Sequence, residues 1–371
     1  MKRLVLLIIL LLSGVFTVLA QEDDDVQTAQ PMSGRYQFEI ADDWTVVNDL
    51  NLFGDSDAFL LSEMVVAASS EDLLVLAADE DFEPFGSDFD GAVIITLSLP
   101  AAIFQIEGLD PDDLVEDIGE SIVSDIDAEF TQGTIELRGI SGQDFILSMP
   151  NDRAGRVALL VDPSGNLVMF IAIGDEEYAT NIENALMSLT FYDFSEEELL
   201  DPETLTSTIE IAPNFAAVDI PPGWWMFVDE FDDMVILSPV LNQELLTSDP
   251  LDGLMNSGSV GIISIALEKD ELSESVYNDD GTLDLSRVLT SEIDNEIESL
   301  TIEKWEGAPG LAGIQFEMQV MLDSSIQARG LLLDGDDVLY IVAGVSTPDT
   351  WDTYSELIDA ILLTIRRVEA E

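Results

Sequence analysis

Carboxylates are the one kind of chemistry-bearing side chain that this sequence holds in quantity. It carries 76 acidic residues against 12 basic ones, has no histidine and no cysteine, and has a formal charge of −64. Their densest turns are Asp162-Pro163-Ser164-Gly165-Asn166 and Asp334-Gly335-Asp336-Asp337. Asp162, Asp334, Asp336 and Asp337 offer the hard oxygen ligands that calcium takes, and Asp23-Asp24-Asp25 adds another acidic cluster. Neither turn has the alternating twelve-position ligand spacing of an EF-hand. Asp and Gly are also ordinary turn residues. Diffuse association of cations with an acidic surface is therefore expected, with calcium at these four aspartates the specific alternative and no other cofactor implied. Two well-separated acids would suffice for glycoside hydrolysis, but among so many carboxylates no pair is singled out.

What is missing excludes more. Without His or Cys there is no Ser-His-Asp triad, no thiolate nucleophile and no ordinary zinc site. Gly133-Thr134 and Gly142-Gln143 lack the spacing and the lysine of a phosphate loop. The field of so acidic a chain repels phosphate backbones, which excludes nucleic acid as a partner. Among the aromatic residues, Trp224 and Trp225 are the ligand-binding candidates, because alternation along a strand sets one indole inward and one outward. An outward ring can stack on a sugar or anchor a protein interface. The alternative reading is one core ring and one lying under a loop or the opposite domain. Trp44 reads as the corresponding core ring of the first half, and Trp305 and Trp351 are ambiguous.

The elements that would position these residues begin after a targeting segment. Met1-Lys2-Arg3, the apolar run Leu4–Leu12 and the small residues Val18 and Ala20 have the pattern of a secretory signal peptide over residues 1–20. Left uncleaved, the same segment would serve as an N-terminal anchor. Later apolar runs are shorter and interrupted by charge, so no second span is expected. Export without disulfides suits a secreted or cell-envelope protein of a bacterium or archaeon. Residues 21–33 read as a flexible acidic leader, and the acidic stretch 194–208 reads as a linker. The intervening segments, 34–193 and 209–369, read as two domains.

These two segments look alike, and the repeat is the strongest internal signal in the chain. Tyr36–Ile40 followed by Asp42-Asp43-Trp44 stands against Phe215–Ile220 followed by Pro222-Gly223-Trp224. Ala92–Leu99 stands against Val260–Leu267, Gly142-Gln143-Asp144-Phe145 against Gly313-Ile314-Gln315-Phe316, and Leu167–Phe170 against Val338–Ile341. A helix is expected from Asp110-Pro111 onward through Leu114, Ile118, Ile122 and Ile126, and another through Leu285, Leu289, Ile293 and Ile297. Each half closes with a helix, one carrying Tyr178, Ile182, Ala185, Leu186 and Leu189, the other Tyr354, Leu357, Ile361 and Ile365. The patterns predict in each half a mainly antiparallel sheet with two long helices to cover it.

The order of these elements, with Ile220-Pro221-Pro222-Gly223-Trp224 as the most specific local match, resembles the superfamily of the photosystem II extrinsic subunit PsbP and the DcrB-like envelope proteins. The first half departs from the motif, having Ala41-Asp42-Asp43-Trp44 instead. The resemblance implies an α/β fold class, two tandem α/β/α sandwich domains, with a generally non-enzymatic role in binding or stabilising a partner. Photosystem docking is not implied, since basic surface residues are scarce. The leading functional class is thus a non-catalytic exported protein that binds a protein, an envelope component or a small ligand. A carboxylate- or cation-dependent hydrolase and a structural surface spacer are the alternatives.

Overall fold

The computed structural model describes residues 26–48, 63–77, 89–102, 115, 129–149, 152–212, 215–229, 234–241, 250–280, 282–292, 297–305, 307–321 and 325–368. Internal contacts divide the chain into two units, between Asp193 and Phe194.

The first unit contains β1 (Val26–Ala29), β2 (Tyr36–Ala41), β3 (Thr45–Val47), β4 (Met64–Ala68), β5 (Ala92–Leu99), β6 (Glu129–Leu137), β7 (Ile140–Met149), β8 (Arg153–Val161), β9 (Leu167–Asp175) and β10 (Thr190–Phe191). Seven of these form an antiparallel sheet in the order β3-β4-β5-β9-β8-β7-β6, and the rest form a small sheet β1-β2-β10. The second unit contains β11 (Ser207–Ala212), β12 (Ala216–Ile220), β13 (Trp225–Asp229), β14 (Met234–Ser238), β15 (Val260–Glu268), β16 (Ile297–Lys304), β17 (Gly313–Met321), β18 (Ser325–Asp334), β19 (Val338–Ser346) and β20 (Arg366–Arg367). Its sheets run β13-β14-β15-β19-β18-β17-β16 and β11-β12-β20, the same two orders with every index raised by ten. The two similar seven-stranded sheets with their helices are tandem α/β sandwich-like domains.

Burial explains why the apolar runs are nearly continuous. One face of the first large sheet (Ile94, Ala158, Leu160, Val168, Phe170) shares a core with Phe38 and Ile40 of the small sheet and with Ile182, Ala185 and Leu186 of the closing helix Ala179–Ser188. Val157, Leu159, Ile171 and Ile173, on the other face, are buried as well. A strand covered on both sides loses its polar alternation. The β6–β7 hairpin turns through Arg138 and Gly139, both at positive φ (52° and 88°), the twist-matched pattern of a two-residue hairpin.

The same latch recurs at the end of each closing helix. Ser188 Oγ donates to Ala185 O (2.7 Å) and accepts the Glu39 amide (2.7 Å). In the helix Trp351–Leu363, the next residue, Thr364, donates to Ile361 O (2.7 Å) and accepts the Asp219 amide (2.8 Å). Both bonds tie the helix end to the middle strand of the small sheet. Gly344 lets the second helix lie close on β19, because a Cβ there would come within 2.3 Å of Ile358.

Several expectations need correcting. The stretch 21–33, read as a flexible acidic leader, contains β1, whose Ala29 is fully buried against β2. The stretch read as a linker holds the short helix Glu196–Leu199, closed by a reciprocal Ser195–Glu198 capping box, and β11 begins within it at Ser207. The helix through Leu285 and Leu289 ends by Glu292, and Ile297 opens β16. The helix expected through Ile118 lies outside the described residues, apart from the buried helical residue Val115. Instead of the one sheet expected in each half, β2 and β12 lie in separate three-stranded sheets beside the seven-stranded ones.

Candidate functional site

Of the six sequence candidates, Trp224, Trp225, Asp162 and Asp334 are engaged within the protein, whereas Asp336 and Asp337 are exposed. Trp224 and Trp225 are 1% and 7% exposed, so the alternation that would turn one indole outward does not expose it. Trp224 Nε1 donates to Leu199 O (2.6 Å), so it lies beneath the segment Phe194–Leu199. That segment also accounts for the Pro-Gly-Trp motif: Gly223 has φ 81°, and a Cβ there would strike Phe194 and Leu199. Trp44, by contrast, packs edge-on against Tyr178, with ring centroids 6.0 Å apart.

Asp162 is buried and caps its own turn. It accepts the backbone amides of Ser164 (2.8 Å) and Asn166 (2.9 Å) and the side-chain amide of Asn166 (2.8 Å). This is an Asx-type closure of the β8–β9 hairpin. In the second unit the corresponding turn is held by a cation of the protein itself. Lys269 Nζ lies 2.7 Å from Asp334 and donates to Gly335 O (2.6 Å) and Asp336 O (3.0 Å). Among the described residues no group of three or more acids is arranged to hold a metal ion, and none of Asp162, Asp334, Asp336 and Asp337 joins one. Asp23, Asp24 and Asp25 lie outside the described residues.

The site that sequence reasoning missed lies beneath the Asp162 turn. Ser33, Arg35, Glu63 and Asp162 are all buried there. Burial pushes the Glu63 carboxyl up to about 7, although Arg35 and the Ser33 hydroxyl oppose the shift. Burial also raises Asp162, opposed mainly by its bonds to Asn166. The Arg35 guanidinium is lowered by burial, against the pull of Glu63, Asp162 and Asp193. Alongside, the buried Tyr36 hydroxyl donates to Glu63 O (2.7 Å) and accepts from the Thr96 hydroxyl (3.0 Å). The arrangement is one buried cation among acids, with a carboxyl group that exchanges its proton near neutrality. No periodicity reports it, because its members come from three distant segments. The one local sign is a basic residue, Arg35, in a chain with very few.

Following the repeat, β2 and β12 place Phe215 where the first unit has Arg35. Phe215 stacks on Tyr340 with centroids 5.1 Å apart and planes at 22°. The second unit therefore has an aromatic pair where the first has charge. Other cations recur in both units. Arg156 makes two bonds to Asp144 (2.9 Å each) and lies 3.7 Å from Glu183 on the closing helix. Arg329 likewise reaches Glu317 (2.9 Å) and Asp359 (2.5 Å) on its closing helix.

No helix among the described residues is long and apolar enough to cross a membrane. No protein-family model matches the chain, and no curated protein matches it. Among solved structures it is similar to cyanobacterial PsbP (CyanoP) from Synechocystis, with 13% identity and a TM-score of 0.28 over 48% of this chain and 99% of that one. It is also similar to the MucA/MucB complex of Pseudomonas aeruginosa (11% identity, TM-score 0.15, 91% and 92% covered). A third similarity is to the 12:0-ACP thioesterase of Umbellularia californica (10% identity, TM-score 0.10, 68% and 96% covered). Scores this low carry no weight for function.

Proposed function

We propose that this protein is a non-catalytic, extracytoplasmic tandem-domain protein that binds another protein. The observation that supports this reading is an apolar side chain exposed at the same position of both closing helices. Met187 is 52% exposed and Leu363 is 86% exposed, each directly after a buried leucine (Leu186, Leu362) and before the latch residue. An exposed large apolar residue standing alone is unremarkable. Its recurrence in both units, on a chain whose net charge is −64, marks a position kept apolar for contact. Internal use of the candidate ligands supports a non-catalytic role, because the Asp162 and Asp334 carboxylates bond to the protein's own amides and ammonium.

Capture of partners from the envelope fraction of the producing cells tests the reading, with wild type compared against the Met187→Asp/Leu363→Asp double variant. A protein retained by wild type and lost from the variant, at equal thermal stability, is the expected result. Equal recovery by both would contradict the proposal.

A further inference from the structure

Each large sheet ends at one side in a long strand, β6 in the first unit and β16 in the second. An edge strand presents a row of unpaired amide and carbonyl groups, and proteins usually guard it with charge, proline or a bulge. β16 is guarded. It carries Glu298, Glu303 and Lys304, and its register slips between Ile297 and Ser299.

β6 carries charge only at its two ends, Glu129 and Glu136, and has neither a proline nor a bulge. Phe130-Thr131-Gln132-Gly133-Thr134-Ile135 is uncharged, in a chain where 24% of residues are charged. Thr131 to Thr134 are exposed, Phe130 is 44% exposed, and the β6–β7 register runs unbroken. The two strands can be compared position by position. Gly133 and Thr134 stand opposite Asp144 and Gln143, and the matching places opposite Gln315 and Ile314 hold Glu303 and Lys304. Among the described residues β7 is the only strand paired with β6.

Charge decides what fits. Antiparallel pairing of two copies centred on Gln132 and Gly133 would set the Glu129 position of each against the Glu136 position of the other. Like charges directly opposite destabilise a strand pair, and two chains of −64 repel at longer range. Both arguments reverse for a segment with basic ends. We infer that β6 is the docking edge for an extended segment of another protein, uncharged at its centre and basic at both ends, which adds to the sheet as a further strand. Backbone hydrogen bonds would supply affinity, and Phe130 and the two glutamates the selectivity. The inference rests on the partner-binding reading and names a surface and a partner chemistry for it.

The test uses the full-length protein and a synthetic peptide, Lys-Thr-Val-Tyr-Val-Thr-Val-Lys, beside the same peptide with Glu at both ends. Binding is read by titration calorimetry and by amide exchange over residues 130–136. The basic-ended peptide should slow exchange in β6 and bind at least about tenfold more tightly than the acidic-ended one. Copying the guard of β16 with Gly133→Glu/Thr134→Lys should weaken binding by about tenfold or more. That change is compatible with folding, since Gly133 has ordinary φ and nothing within 4 Å of a Cβ placed there. Absence of binding, equal binding by the guarded variant, or protection outside β6 would each overturn the inference. The capture experiment separates the two levels. Should the guarded variant capture as wild type does while Met187→Asp/Leu363→Asp captures nothing, the docking edge is wrong and the partner-binding reading stands. If neither variant alters capture, both fail.

Discussion

Glu63 is where a single residue has the largest consequence. Its carboxyl lies in the protein interior near Arg35 and Asp162, and burial raises it from 4.5 to about 7. A carboxyl held above its unfolded value contributes stability that is complete below pH 4.5 and is lost as pH rises through about 7. The full effect is of the order of 3 kcal/mol. In urea denaturation at fixed ionic strength, Glu63→Gln should abolish this part of the pH dependence and stabilise the protein at neutral pH relative to wild type. An unchanged difference in midpoint between about pH 5 and about pH 8 would show that Glu63 ionises freely in the folded state. The tryptophans teach the complementary lesson. Trp224 and Trp225 stood out in the sequence as adjacent aromatics, but strand alternation alone could not anticipate the segment Phe194–Leu199 that covers one of them.

Elements in this protein are joined by a small set of repeated devices. The Ser188 and Thr364 hydroxyls each join a helix end to the small sheet, so Ser188→Ala and Thr364→Val should each cost about 1 kcal/mol. Calorimetric melting checks this, and no loss at either site would deny the latch its role. The Arg329 clamp is partly exposed: Glu317 and Asp359 are 43% and 47% accessible at their side chains. Screening by water therefore limits Arg329→Gln to about 1 kcal/mol. The effect should appear as faster amide exchange in Trp351–Leu363. Arg156→Gln should loosen Ala179–Ser188 less, since Glu183 stands 3.7 Å away. The strands and closing helices were legible in the sequence because their periodicity is local: Ile182, Ala185 and Leu186 face the core as their spacing requires. β1, β10 and β20 were not, because strands of two to four residues exist through their pairing to β2 or β12 and carry no pattern of their own.

At the scale of the whole molecule, one fold occurs twice and differs in its use of charge. The order β3-β4-β5-β9-β8-β7-β6 and its counterpart were legible only as a repeat; strand order itself depends on pairings between distant segments. The buried Arg35–Glu63–Asp162 cluster was invisible for the same reason. Cations are scarce, and those at Arg156, Lys269 and Arg329 bond to carboxylates within their own unit. The surplus acids give the chain a net charge of −64, and the repulsion between like-charged copies opposes association despite a positive mean hydropathy of +0.23. On the proposed reading this charge serves structure and solubility, while recognition falls to apolar and backbone surfaces. The most direct measurement is thermal melting of the full chain titrated with calcium or magnesium, with sodium chloride holding ionic strength constant. The two ions should shift the melting temperature equally, in step with screening alone. A saturable rise specific to calcium at micromolar concentration would contradict the claim and return the acidic turns to the centre of its function.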